Sequence, residues 1–186
     1  MKNLHLSTLL TLVMLLGVIQ LKAITQEWSF SAQHFSSLGE VNYELDLDGL
    51  TVYATPEKTV IFDESTASAD GKDFTSRLKL SGAGSVLDDP QYRIVSFYVP
   101  QNAEIKVICT SSSDIETREL LLVSPAGDTI HTFQAPGGSL NVETYSYSAG
   151  AGYVKLLSSS GGINMYYISA TSQVDHKVTL FDPATC

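Results

Sequence analysis

The chain has 186 residues and a formal net charge of −9; 44% of its residues are hydrophobic and only 17% charged. That is enough apolar material for one domain with its own core. The acidic balance repels nucleic-acid phosphate and anionic lipid, so a polyanionic ligand would need a local basic patch working against the overall field.

Residues 1–23 read as a secretory signal peptide: Lys2 opens it, an apolar run from Leu9 to Ile19 follows, and Leu21-Lys22-Ala23 offers a small residue for cleavage. The run is short for a membrane span. Loss of Lys2 and Lys22, with no acid, would take the charge from −9 to −11. From there alternating apolar residues predict strands over Thr25–Ser31, Val41–Leu47, Leu50–Thr55, Thr59–Phe62, Phe74–Leu80, Arg93–Val99, Glu104–Thr110, Glu119–Ser124, Thr129–Phe133, Val142–Tyr147, Tyr153–Ser158 and Ile163–Ala170. Lys177–Phe181 reads as a further strand or a tail. Almost nothing reads as helix.

Turn residues punctuate these runs. Asp48-Gly49, Asp70-Gly71 and Gly127-Asp128 supply positive-φ positions, and the pairs Gly137-Gly138 and Gly161-Gly162 mark further reversals. About a dozen short strands imply an all-β chain, an antiparallel β-sandwich of jelly-roll type, with an up-and-down barrel as the structural alternative. Residues 24–170 form one unit and 171–186 an appendix. Cys109 continues the period-two pattern of Ile105 and Val107 and should face the core; an oxidising compartment would allow it to pair with Cys186.

Catalytic patterns are absent from the sequence. His34, His131 and His176 share no metal-ligand spacing, and there is no nucleophile elbow or phosphate loop. Two of the carboxylates could act as the acid and base of a glycosidase, but most sit among turn residues, where solvated carboxylates are ordinary. Asp63, Glu64, Asp70 and Asp73 could surround a calcium ion, although their spacing matches no calcium loop. No cofactor is otherwise called for. Tyr53, Tyr92, Tyr98, Tyr145, Tyr147, Tyr153, Tyr166 and Tyr167 fall in or beside strands; a ring with a hydroxyl suits a sugar face, and strands favour tyrosine in any case. Trp28 reads as a core plug of the first strand.

The segment from Asp70 to Gly82 holds a short cationic strip. If Leu78 and Leu80 point into the core, alternation sends Phe74 and Ser76 with them and puts Thr75, Arg77 and Lys79 on the outer face. An ordinary solvated face would look the same, and Arg77 could instead tie a loop or sheet edge together.

Taken as a series, Asp48–Ala54, Phe74–Gly84, Arg93–Val99, Ile105-Lys106-Val107 running into Ser111-Ser112-Ser113-Asp114, Arg118-Glu119-Leu120 and Gly161–Ile168 resemble the β-sandwich domains appended to bacterial pectate lyases and are similar to pectin-binding carbohydrate-binding modules. The resemblance implies a secreted, non-catalytic module whose basic side chains meet the carboxylates of an acidic plant polysaccharide such as pectin. By position it implies Arg77 and Lys79 on the Arg-Leu-Lys-Leu strand, Arg118 after the serine-rich loop, and Lys155 on the penultimate strand as the ligand-binding set. Ile115-Glu116-Thr117 adds length before Arg118 relative to that pattern. The alternatives are a structural or adhesive surface module with a protein partner, which would carry a contiguous apolar patch, a pectate lyase accessory fragment, and an enzyme fragment or small lyase, which would need carboxylates or cations converging in a deep cleft.

Overall fold

Two tight turns set the first hairpins. Asp48 and Gly49 both take positive φ (52° and 78°) between strands β3 (Leu45–Leu47) and β4 (Leu50–Tyr53), and Asp70 and Gly71 do the same (52° and 68°) between β5 (Val60–Ala69) and β6 (Lys72–Leu80). A pair of positive-φ residues gives the two-residue turn whose twist matches antiparallel strands, which is why Asp-Gly marks these corners. The computed structural model describes residues 23–172. The remaining strands are β1 (Thr25–Ser29), β2 (Glu40–Val41), β7 (Ile94–Val99), β8 (Ala103–Ser111), β9 (Arg118–Val123), β10 (Thr129–Ala135), β11 (Asn141–Tyr147), β12 (Gly152–Ser158) and β13 (Ile163–Ser172), with one helical turn, α1 (Gln33–Ser36).

All pairings are antiparallel. A seven-stranded sheet runs β11-β8-β13-β6-β5-β2, with β1 also on β13, and a six-stranded sheet runs β10-β9-β12-β7-β4-β3. From β6 onward the chain passes repeatedly from one sheet to the other, as in a jelly roll. The fold is therefore the expected antiparallel β-sandwich. The predicted run Val41–Leu47 divides: β2 joins the larger sheet and β3 the smaller, because residues 42–44 bridge the two layers. The predicted Thr59–Phe62 strand continues to Ala69, through carboxylates that looked like turn residues. The proposed signal peptide, the Lys177–Phe181 run and Cys186 lie outside the described residues.

The inner faces meet in a core that includes Trp28, Phe62, Leu78, Leu80, Phe97, Val107 and Met165. Trp28 plugs the first strand as expected, its ring centroid 5.3 Å from that of Phe97. Cys109 is buried in the same core. Desolvation, aided by the negative charge of Glu143, pushes its thiol up to about 12.

Phe74 departs from the expected alternation. It leaves the main core and packs with Ile108, Tyr166 and Tyr167 in a second cluster. Ile108 lies between Val107 and Cys109, both in the main core, so this cluster sits on the outer face of the larger sheet. The change falls at a register shift: three residue steps on β5, Glu64 to Ala67, span two on β6, Ser76 to Phe74. Such a bulge changes the alternation of one strand relative to the other, and Phe74 beyond it pairs with Ala67, which packs in the same outer cluster.

Replacing Phe97, a fully buried ring, with Ala should cost about 3–5 kcal/mol in guanidinium unfolding; a cost below about 1 kcal/mol would show that the ring is not part of the core. Because the folded thiol of Cys109 titrates above its ordinary value of about 9, its protonation supports the fold below about pH 9, and that support is lost as pH rises toward about 12. Accordingly, iodoacetamide at about pH 8 should leave Cys109 unlabelled in the native protein and label it after denaturation, as peptide mapping would read.

Candidate functional site

The outer face of the larger sheet gathers cations. Across it run Ile61, Lys79, Asn164 and Thr110, opposite one another on β5, β6, β13 and β8. Beside that row Arg77 faces Asp63. Further along, Lys72 lies over the Tyr167 ring at 4.8 Å, and Lys106 donates from Nζ to Asp70 Oδ2 at 2.8 Å. That hydrogen bond is the main reason the Asp70 carboxyl lies below its ordinary value. A second bulge shapes this face. Between Met165 and Tyr167 β13 carries one extra residue against β8, so Tyr166 and Tyr167 both join the outer cluster.

At one end of this face lies a groove of about 270 Å³. Its floor includes Arg77, Thr110, Asn164 and Tyr166, and its walls are the loops carrying Ser112 and Asp114 on one side and Ser139 and Leu140 on the other. The two loops touch closely. A Cβ on Gly137 would come within 2.6 Å of the Ile115 amide nitrogen, so only glycine fits there. Asn164 is only 5% exposed. Its Nδ2 donates to the Ser111 carbonyl at 3.4 Å, which fixes the amide orientation, and its Oδ1 has no partner among the described residues. A buried acceptor left unpaired costs free energy until a donor meets it.

Of the four residues expected to bind ligand, two share this face. Arg77 lines the groove, but Asp63 already takes a fork of hydrogen bonds from its Nε and Nη2 at 2.7 and 3.1 Å. Those bonds are the main cause of its raised pKa. The alternative role of tying sheet strands together is thus realised, with the remaining N–H groups left over. Lys79 stands beside Asn164 and makes no ion pair among the described residues. Arg118 does not present its charge. Its Nη1 donates to Ser112 Oγ (2.8 Å) and to the Gly162 carbonyl (2.7 Å), and its Nη2 to Glu116 Oε2 (2.9 Å). It braces the serine loop from behind. Lys155 belongs to β12 in the other sheet, where Nζ donates to Gln91 Oε1 at 2.8 Å. The expectation that all four cations gather on one flank is therefore corrected: strand assignment sends Lys155 to the opposite layer, and loop bonding consumes Arg118. Lys72 and Lys106 lie on the face instead.

Most of the carboxylates that could have surrounded a calcium ion are engaged elsewhere. Asp63 holds Arg77, Asp70 holds Lys106, and Asp73 accepts from Ser68 Oγ at 2.6 Å; among the described residues no three metal-ligating side chains converge. The sequence carries no signal for the buried Asn164 beyond a polar residue inside an otherwise apolar final strand, and marks Tyr166 only as one of eight strand tyrosines.

No protein-family model matches the chain, and no curated protein matches it. Solved structures similar to it include a family 35 carbohydrate-binding module from Clostridium thermocellum, 11% identical over 73% of this chain and 99% of that one, with a TM-score of 0.44. The CBM22-1 xylan-binding domain of Paenibacillus barcinonensis Xyn10C is 14% identical over 80% and 94%, with a TM-score of 0.44. The C-terminal CBM6 of a laminarinase from Zobellia galactanivorans is 17% identical over 80% and 100%, with a TM-score of 0.39. None of the three is named for pectin or a pectate lyase.

Replacing Arg118 with Ala removes three charge-assisted hydrogen bonds at the serine loop, while the Gly162 carbonyl keeps the Ser112 amide at 3.0 Å. We expect a loss of about 1–3 kcal/mol in guanidinium unfolding; an unchanged midpoint would remove the bracing role.

Proposed function

We propose that the chain is a non-catalytic carbohydrate-binding β-sandwich that takes its ligand on the outer face of the larger sheet. The observation that carries this reading is the Asn164 Oδ1, buried and unpartnered in a groove lined by hydroxyls. Thr110, Ser112 and Ser139 offer donors and acceptors, the buried Tyr166 closes the floor, and Asn164 awaits a donor. The hydroxyl edge of a sugar suits that set.

The finer reading is an acidic plant polysaccharide such as pectin, met by a secreted module. What supports it is the set Lys72, Arg77, Lys79 and Lys106 on one face. Asp63 and Asp70 already balance two of these, so Lys79 is the cation best placed to meet a uronate as a point charge. Exposed ion pairs contribute about 0–1 kcal/mol each, so affinity would come from repeated contacts along a polymer. The net charge of −9 opposes that approach, and added salt would weaken the binding further.

Affinity electrophoresis in gels containing polygalacturonate tests this. The native chain should be retarded at low salt, and Lys79→Ala should weaken retardation about three- to fivefold without lowering the melting temperature. Retardation only in neutral-glycan gels would retain the carbohydrate reading and remove the pectin one; free mobility in every gel would remove both.

A further inference from the structure

The outer face of the six-stranded sheet differs in character. Tyr98 on β7 and Tyr153 on β12 lie directly opposite each other, with ring centroids 5.7 Å apart and planes at 73°. They are 41% and 60% exposed, whereas Tyr147, Tyr166 and Tyr167 are buried. Two residues further along the strands, a polar row crosses the sheet: Asp46, Thr51, Ser96 and Lys155. Beyond it Tyr53 stands near Lys155, whose Nζ lies 5.9 Å from the Tyr53 ring centroid. Burial, and then the charges of Glu44 and Asp46, raise the Tyr53 hydroxyl above its ordinary value, so it remains a donor. An adjoining hollow of about 510 Å³ has a mixed lining, with Glu44, Asp88 and Asp89 beside Tyr53 and Gln91, and the apolar Val86, exposed Leu87 and Pro90 on its loop side.

The charge of this face selects its ligand. Lys155 stands against four carboxylates, those of Glu44, Asp46, Asp88 and Asp89, so a uronate chain is repelled. Carboxylates are instead strong acceptors for sugar hydroxyls. The polar row also separates the tyrosine pair from the apolar cluster of Ile94, Val123 and Leu157, which is itself buried. From Tyr98 to the level of Tyr53 is four strand residues, about 13–14 Å, longer than one sugar ring.

We propose that this face is a second carbohydrate-binding surface, taking an uncharged glycan chain with its rings on Tyr98 and Tyr153 and its hydroxyls on the acidic hollow. The inference rests on the carbohydrate-binding reading of the chain. Since the two outer faces point in opposite directions, one molecule would hold a neutral chain on one side and the ligand of the Asn164 groove on the other, bridging two polysaccharides.

The test is NMR titration of the full chain with xylohexaose, cellohexaose, mannohexaose and oligogalacturonate, following the tyrosine ring signals and the Asn164 side-chain amide. At least one neutral oligosaccharide should shift Tyr98 and Tyr153. Its affinity should be insensitive to salt and should fall at least about tenfold in the Tyr98→Ala/Tyr153→Ala double variant. Tyr153→Phe, which keeps the ring, should bind nearly as well as the native chain, and Asn164→Leu should leave this binding intact. The inference is overturned, and the wider reading kept, if glycans shift only Asn164, if oligogalacturonate occupies the tyrosine face, or if neutral binding survives the double variant. A dimer that Tyr153→Ala dissolves would overturn it as well. Failure of all four probes to shift either face would overturn both.

Discussion

One extra residue in each of two strands decides what the larger sheet shows to its surroundings. Phe74 lies outward beyond the bulge in β5, paired with Ala67, and the bulge in β13 turns Tyr166 and Tyr167 outward together. With strict alternation these rings would be divided between core and surface. Instead they form an apolar base on the outside of the sheet. Tyr166, packed against Phe74 with ring centroids 5.5 Å apart and hydrogen-bonded to Ser65, becomes a fixed floor for the groove beside Asn164. A surface built on ring packing holds its shape before a ligand arrives, which lowers the ordering cost of binding.

Positive charge on that floor is largely structural. Arg77 and Asp63 bind in a fork, Lys106 and Asp70 pair across the face, and Lys72 covers a tyrosine ring. Paired charges hold strands in place more than they attract a distant polymer, and of the four cations on this face Lys79 is left with neither an ion pair nor a ring partner among the described residues. Arg118 shows the same economy in a loop, where one guanidinium satisfies two oxygen acceptors and a carboxylate at once.

The two outer faces thus divide the chemistry of an acidic chain between them. One carries four cations and a buried amide oxygen; the other carries paired tyrosines beside carboxylates. Both sit on sheet strands, where side-chain positions are held more firmly than on loops. The sandwich core between them keeps the faces apart and pointing away from each other.

The sequence by itself determined the strand-rich class, the two Asp-Gly hairpins, the Trp28 plug and the inward position of Cys109. Each depends on turn chemistry or period-two alternation within a few residues. It also placed Arg77 and Lys79 on an outer face, since Leu78 and Leu80 between and beside them needed the core. Only the tertiary structure decided that Lys155 lies in the opposite layer, that Arg118 is spent on Ser112 and Gly162, and that Lys72 and Lys106 join Arg77. It alone exposed Tyr98 and Tyr153 while burying Tyr166. These outcomes follow from which sheet each strand enters and where an extra residue shifts the register, and both are settled by pairings between residues far apart in the chain, which local pattern does not encode.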